Sequence, residues 1–355
     1  MTTLQMSLAI AGGLLLAGVV AHNAWSARKN LPKRATPEVA AGQDVGHSPQ
    51  GASLDPLAER QEPSFDADPD LGVLTALLAL EKKPGLDALI DVIAPVLVES
   101  VVSGEAALAA MPSTRRAGSK PFGVEGLSVS TGEWEFPAAG QRYSAFQCGV
   151  QLANRVGGLN QIEYSEFVIK AQAFADAIGG EPEFPEMHDE VARARELDQF
   201  ASAHDAQLSF TLQAINTAWS PGYVQQSAAK LGFVAGSIPG RMVLPASQHG
   251  GAPILGLAFD TQAAMADDPE QTALREITLS LDVPQVSRSR QPFVHLRESA
   301  TALAASMDGA IIDDNGNLIH ASAMDVISAE LELLYDTLDG RDLSAGSALA
   351  RRLFS

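Results

Sequence analysis

The chain has 355 residues, 46% hydrophobic but only 6% aromatic, and a formal net charge of −19. That length suits roughly two domains of ~150 residues, and so acidic a surface repels nucleic-acid phosphates and argues against a polynucleotide partner. One cysteine, Cys148, excludes an intrachain disulfide. Inside the apolar run AFQCGVQL it is expected as a small buried hydrophobe rather than a nucleophile.

From Met1 to Ser26 no side chain carries a formal charge, and Ser7 to Trp25 is almost wholly apolar. Such a stretch, at ~1.5 Å per residue, spans about 28 Å as a helix, close to the ~30 Å hydrocarbon core of a bilayer. A cleaved signal peptide is the competing reading, since Val19-Val20-Ala21 loosely resembles a cleavage site. A signal peptide, however, carries Lys or Arg ahead of its apolar stretch. Here Arg28, Lys29, Lys33 and Arg34 follow it. The positive-inside rule therefore predicts an uncleaved transmembrane anchor over 1–26, its short N-terminal tail exported and the rest cytoplasmic. Trp25, Arg28, Lys29, Lys33 and Arg34 are expected at the membrane interface, and the partner of residues 7–25 is the lipid bilayer.

Residues 27–70 are rich in Pro, Gly, Ser, Ala and acidic residues and sustain no apolar period. They read as a disordered linker with a reach of roughly 35 Å.

The remainder contains a repeat. Phe293, Leu296, Ala300, Leu303, Ala304 and Met307 form a helical stripe; Tyr164, Phe167, Ala171, Phe174, Ala175 and Ile178 form another, at a constant offset of 129 residues. Gly180 matches Gly309 at the helix end, where a left-handed cap is expected. A strand-like run precedes each stripe, AFQCGVQL at 145–152 and EITLSLDV at 276–283, and an amphipathic helix follows each. Each copy also opens with a strand and a capped helix. Ser103 is the expected cap in the first, Ser220 with Pro221 behind it in the second. The predicted fold is α+β: two tandem domains, 71–203 and 204–340, each an antiparallel sheet covered by helices on one face, the first with less distinct strands. Residues 341–355 read as a short tail with a basic pair and no assigned role.

Chemistry is sparse. No nucleotide-binding glycine loop, nucleophile elbow or zinc-protease motif occurs, and the seven histidines have no zinc-ligand spacing. His188, beside Asp189 and Glu190, falls in what reads as the acidic first turn of a helix. The acidic cluster Asp313-Asp314 fails as a calcium loop, because Leu318 and Met324 stand where glycine and glutamate are needed. It reads instead as a hairpin whose Asn315-Gly316 suits a type I′ turn. No nucleophile–base pair, cofactor site or metal site is expected, and the chain reads as a binding protein, not an enzyme.

The order of an uncharged anchor, basic residues, linker and C-terminal α+β domain resembles the ZipA family of bacterial division proteins. The more specific likeness lies in SPGYVQQSAAKLGFVAG, PILGLAFD, ITLSLDVP and FVHLRESATALAASMDGAIIDDNGNL, with Gly309, Ile311, Ile312, Asp313 and Asp314 matching a recurrent hairpin pattern. It covers residues ~204–338 and the anchor; the first copy matches only through the repeat. The resemblance implies a split β-α-β domain with a six-stranded antiparallel sheet, placed on the cytoplasmic side of the inner membrane. It further implies an open sheet face that binds the C-terminal peptide of FtsZ through Ile238, Ala258, Asp260, Thr278 and Ser280. Two positions depart from the family: Asp260 stands where methionine is usual and Ser280 where phenylalanine is usual. Those two changes remove roughly 3–5 kcal/mol of possible apolar burial. Two functional readings follow: an adaptor that tethers FtsZ polymers to the inner membrane, or a membrane-anchored protein of the same fold that recognises another division or envelope protein.

Overall fold

A computed structural model describes residues 33–34, 85–246, 252–266, 268, 272–313 and 315–355. The expected anchor, Trp25, Arg28, Lys29 and nearly all of the linker lie outside the described residues. Among the described residues no helix is long and apolar enough to cross a membrane.

The first copy comprises β1 (Asp91–Ser103), α1 (Gly104–Ala110), β2 (Arg116–Ala117), β3 (Lys120–Ser128), β4 (Trp134–Glu135) and β5 (Arg142–Gln151). A small ribbon of β6 (Ala153–Asn154) and β7 (Gly157–Gly158) leads to α2 (Gln161–Ile178), β8 (Gly180–Pro182) and α3 (Met187–His204). Its sheet runs β2-β3-β5-β1-β8, with β4 added to β3. The second copy comprises β9 (Gln207–Ala214), α4 (Pro221–Ala229), β10 (Val234–Ala235), β11 (Arg241–Leu244), β12 (Leu255–Ala258) and α5 (Thr261–Ala264). β13 (Glu276–Asp282), α6 (Pro292–Met307), β14 (Gly309–Ile312), α7 (Ala321–Asp339) and α8 (Ala348–Leu353) complete it. Its sheet runs β10-β11-β12-β13-β9-β14. Every pairing in both sheets is antiparallel. The central order β3-β5-β1-β8 recurs as β12-β13-β9-β14, so the repeat seen in the helical stripes extends to the strands.

Strand alternation sets the two faces of each sheet. Ile277, Leu279 and Leu281 of β13 and Phe210 and Leu212 of β9 are buried, together with Leu296, Ala300, Leu303 and Met307 of α6. In the first copy Val92, Ala94, Val96, Phe146, Cys148 and Val150 meet Phe167, Ala171 and Phe174 of α2, all buried. Ring centroids of Tyr143–Phe146 and Phe146–Phe174 are 5.6 and 5.5 Å apart. Each buried aromatic contributes about 1.5–3 kcal/mol by removal from water. Ser103 and Ser220 cap α1 and α4 as expected, each accepting an N–H of the first turn.

Two local expectations need correction. The left-handed helix caps are Gly179 (φ 68°) and Asp308 (φ 61°), one residue before Gly180 and Gly309. Gly180 and Gly309 instead begin the edge strands, where space is short. A Cβ on Gly180 would stand 2.8 Å from Val96 Cγ1, and one on Gly309 3.1 Å from Trp219 Cζ2. The hairpin turn is not a type I′ turn about Asn315-Gly316, because Gly316 (φ 81°) is left-handed and Asn315 is not, and the Gly316 N–H closes back on the Asp313 carbonyl at 3.0 Å. The Asp313 carboxylate holds it by accepting the Asn315 and Asn317 N–H groups at 2.9 and 2.8 Å. Those bonds, led by Asn317, keep the carboxyl below the usual carboxylate range. Asp314 lies outside the described residues.

The tail also departs from its reading as a short extension. Leu353 and Phe354 are buried, and Arg352 pairs with Asp91 of β1 at 2.5 Å. Gln151 donates to the Arg352 carbonyl at 2.9 Å, and Gln285 to the Phe354 carbonyl at 2.7 Å. The tail is therefore bonded to both halves. Nearby, Arg155 of the first copy forks onto Asp205 and Asp282, with Nη2 2.7 Å from an oxygen of each. Both sheets belong to one compact unit, which also takes in Lys33 and Arg34.

Candidate functional site

One face of the second sheet, over which no helix lies among the described residues, carries the side chains that alternate with the core. The register places Arg241, Ala258, Thr278, Thr211 and Ile312 in one row across the strands. Val243, Gly256, Ser280 and Ser209 form the next. Ser280 leans over the glycine: a Cβ on Gly256 would meet Ser280 Oγ at 2.7 Å. Beyond it, a shallow depression of about 340 Å3 is lined by Gln207, Leu208, Ser209, Ser280, Leu281 and Asp282.

Ala258, Thr278 and Ser280, expected in a groove, thus share one continuous surface. Asp260 lies just past β12, exposed, and its Oδ1 accepts the Gln262 N–H at 2.9 Å as N-cap of α5. That cap gives an aspartate a local reason to stand there. Ile238 is 57% exposed on the turn between β10 and β11 and accepts the Arg241 N–H through its carbonyl. It flanks the sheet edge and does not belong to the rows.

Of the expected membrane-interface residues, Lys33 and Arg34 are described. Lys33 is half-buried on protein. Its N–H donates to the Ala218 carbonyl at 2.7 Å and its carbonyl accepts from Ser220 at 2.9 Å, bracketing Trp219 in a parallel bridge. Its ammonium and the Trp219 indole N–H both donate to the Met307 carbonyl at the end of α6, each at 2.8 Å. Asp308 adds a carboxylate at 3.9 Å. A cation there also complements the negative end of the helix.

On the corresponding face of the first sheet one row is covered, while Pro95 and Leu97 further along stay exposed. Gly123, Gly149 and Ile93 form a row, as do Glu125, Gln147 and Pro95. The Leu86 side chain lies over the glycines; a Cβ on Gly149 would be 2.5 Å from Leu86 Cδ2, and one on Gly123 3.4 Å. The Leu86 N–H donates to Glu125 Oε1 at 3.0 Å, and Gln147 donates to Glu125 Oε2 at 2.8 Å. Sequence reasoning missed this cover. The one visible signal was Gly123 and Gly149 in the middle of otherwise apolar strands, since a strand glycine marks close approach of another group.

Cys148 is buried, and burial pushes its thiol up to about 12, so it behaves as a core residue. His188, Asp189 and Glu190 lie in the first turn of α3. Among the described residues no group of three or more His, Cys, Asp or Glu side chains is placed to hold a metal ion. No protein-family model matches the chain, and no curated protein matches it either.

Proposed function

We propose that the chain is a membrane-anchored cell-division adaptor. Its apolar stretch Ser7–Trp25 enters the inner membrane, and the open face of the second sheet takes the C-terminal peptide of FtsZ. The observation carrying this reading is the continuous sheet surface that joins Ala258, Thr278 and Ser280 across β12 and β13. An extended peptide laid on such a face gains seats for its side chains without any rearrangement of the core. Weak single-site affinity suffices, because polymeric partners and confinement at a membrane raise effective concentration.

The Lys33 dock refines the adaptor. Trp25 and Lys33 are eight residues apart, so a fully extended chain separates them by at most about 29 Å. An anchored chain then holds the second sheet close to the bilayer. The rest of the expected linker adds no reach, because its flanks Arg34 and Gly85 belong to the same compact unit.

A second reading, a partner other than FtsZ, is favoured by one feature: Asp260 and Ser280 replace apolar seats, the first bonded to the Gln262 N–H and the second packed over Gly256. Binding of a labelled FtsZ C-terminal peptide to the detergent-solubilised full chain tests the choice. The adaptor reading expects saturable binding that Ile238→Asp and Thr278→Arg weaken. Absence of binding would sink it in favour of another partner.

A further inference from the structure

The two copies present the same face to solvent, but the first is already filled. Its occupant is the chain's own Gly85-Leu86, held by more than the leucine contact. Arg352 Nη1 donates to the Gly85 carbonyl at 2.9 Å. The Asp87 N–H donates to Asp91 Oδ2 at 2.8 Å, and the Asp87 carbonyl accepts the Ile90 and Asp91 N–H groups. Gly85 lies against Glu125, where a Cβ would come within 2.8 Å of Oε1. An aliphatic side chain seated on a small-residue pair, with its own N–H given to a carboxylate, is how this face takes a peptide.

The register carries that arrangement onto the second sheet. Gly149 and Thr278 are related by the repeat offset of 129 residues. Gly149 pairs with Gly123 as Thr278 pairs with Ala258. Two residues beyond those partners in the chain stand Glu125, within β3, and Asp260, just past the end of β12. Thr211 takes the place of Ile93 in the row. The second face therefore repeats the small pair, as Ala258 and Thr278, and a carboxylate, Asp260, follows just past the end of β12. Asp260 spends one oxygen on its cap, which leaves a carboxylate ample further acceptor capacity.

We propose that the first copy is closed to partners by its own Gly85-Leu86, and that the second face takes an extended peptide in the same manner. The ligand places a leucine-like side chain on Ala258 and Thr278 and gives its backbone N–H to Asp260. Cβ atoms on Ala258 and Thr278 make this seat shallower than the glycine seat, so a flexible aliphatic side chain suits it better than a bulky ring. This rests on the peptide-binding reading of the second face, but not on FtsZ being the peptide.

The test uses the full chain and a fluorescently labelled synthetic peptide copying residues 83–90, KPGLDALI. Wild type binds one peptide; Thr278→Arg, or Ala258→Glu as a second open-face variant, weakens that binding at least about tenfold. Ala258→Gly, which deepens the seat, strengthens it. Leu86→Ala vacates the first face and adds a second site, which survives Thr278→Arg. Melting curves confirm that each variant is folded. The proposal is overturned if wild type does not bind the peptide, if Thr278→Arg and Ala258→Glu leave binding unchanged, or if Leu86→Ala adds no site. An FtsZ-tail arm separates the two readings. A chain that binds its own segment but not the tail loses the adaptor function and keeps this inference. One that binds only the tail, at Thr278, does the reverse.

Discussion

Arg352, three residues before the last residue of the sequence as given, pairs with Asp91 at the start of the first sheet, across 261 residues, with Nη2 2.5 Å from Oδ1. The Asp91 side chain is fully buried while Arg352 keeps about a fifth of its exposure. Arg352 also holds Gly85, so one guanidinium fixes the tail, the first strand and the segment that covers the first sheet.

Removing one partner of a buried pair leaves the other charge uncompensated. Arg352→Ala is expected to destabilise the folded unit by about 3–5 kcal/mol at neutral pH, measured by chemical denaturation. Burial, outweighing Arg352, holds the Asp91 carboxyl above the ordinary carboxylate range. A group that titrates higher folded than unfolded favours folding fully below its unfolded value and loses that contribution as pH rises through the folded one. Without Arg352 the carboxyl is pushed higher still. The cost of the variant should therefore shrink as pH falls from 7 toward 4; a pH-independent cost would contradict this account of Asp91.

The Leu86 seat makes a thermodynamic coupling measurable. Gly149→Ala forces a methyl toward Leu86 Cδ2, 2.5 Å from the new Cβ, and overpacking of this kind costs ~1–3 kcal/mol. In a Leu86→Ala background the same change should cost at least about 0.5 kcal/mol less, the smallest coupling expected of residues in contact. A double-mutant cycle by urea denaturation reads the difference. Strict additivity would mean that Leu86 does not occupy the face.

Lys33→Pro removes the N–H that bonds Ala218 and fixes a new backbone angle. The Ser220 amide, which donates to the Lys33 carbonyl, should then lose hydrogen-exchange protection, while amides of β13 keep theirs. Unchanged exchange at Ser220 would mean that Lys33 is not docked in solution.

Much of this was legible in the sequence, and the reason is local. The stripes at Phe293–Met307 and Tyr164–Ile178 report buried helix faces because helical spacing alone decides which residues face the core. Ser103 and Ser220 declare caps for a similarly local reason. The left-handed positions were misplaced by one residue because glycine serves two needs, positive φ and close approach, and Gly180 and Gly309 serve the second. Arg352, Lys33 and Leu86 were illegible as contacts, since their partners Asp91, Met307 and Glu125 are far away in the chain and no periodicity marks them. Within the candidate site, Ala258, Thr278 and Ser280 were placed together by resemblance and share a face in the structure. The occupied state of the sister face depended on a tertiary contact.

The most direct test of the central claim is the affinity of the full chain for a labelled FtsZ C-terminal peptide, read by fluorescence anisotropy with and without Thr278→Arg. The account predicts saturable binding to wild type and a loss of about tenfold or more in the variant, the ~1.4 kcal/mol expected of a central interface residue. No binding by wild type, or equal binding by both proteins, would contradict it.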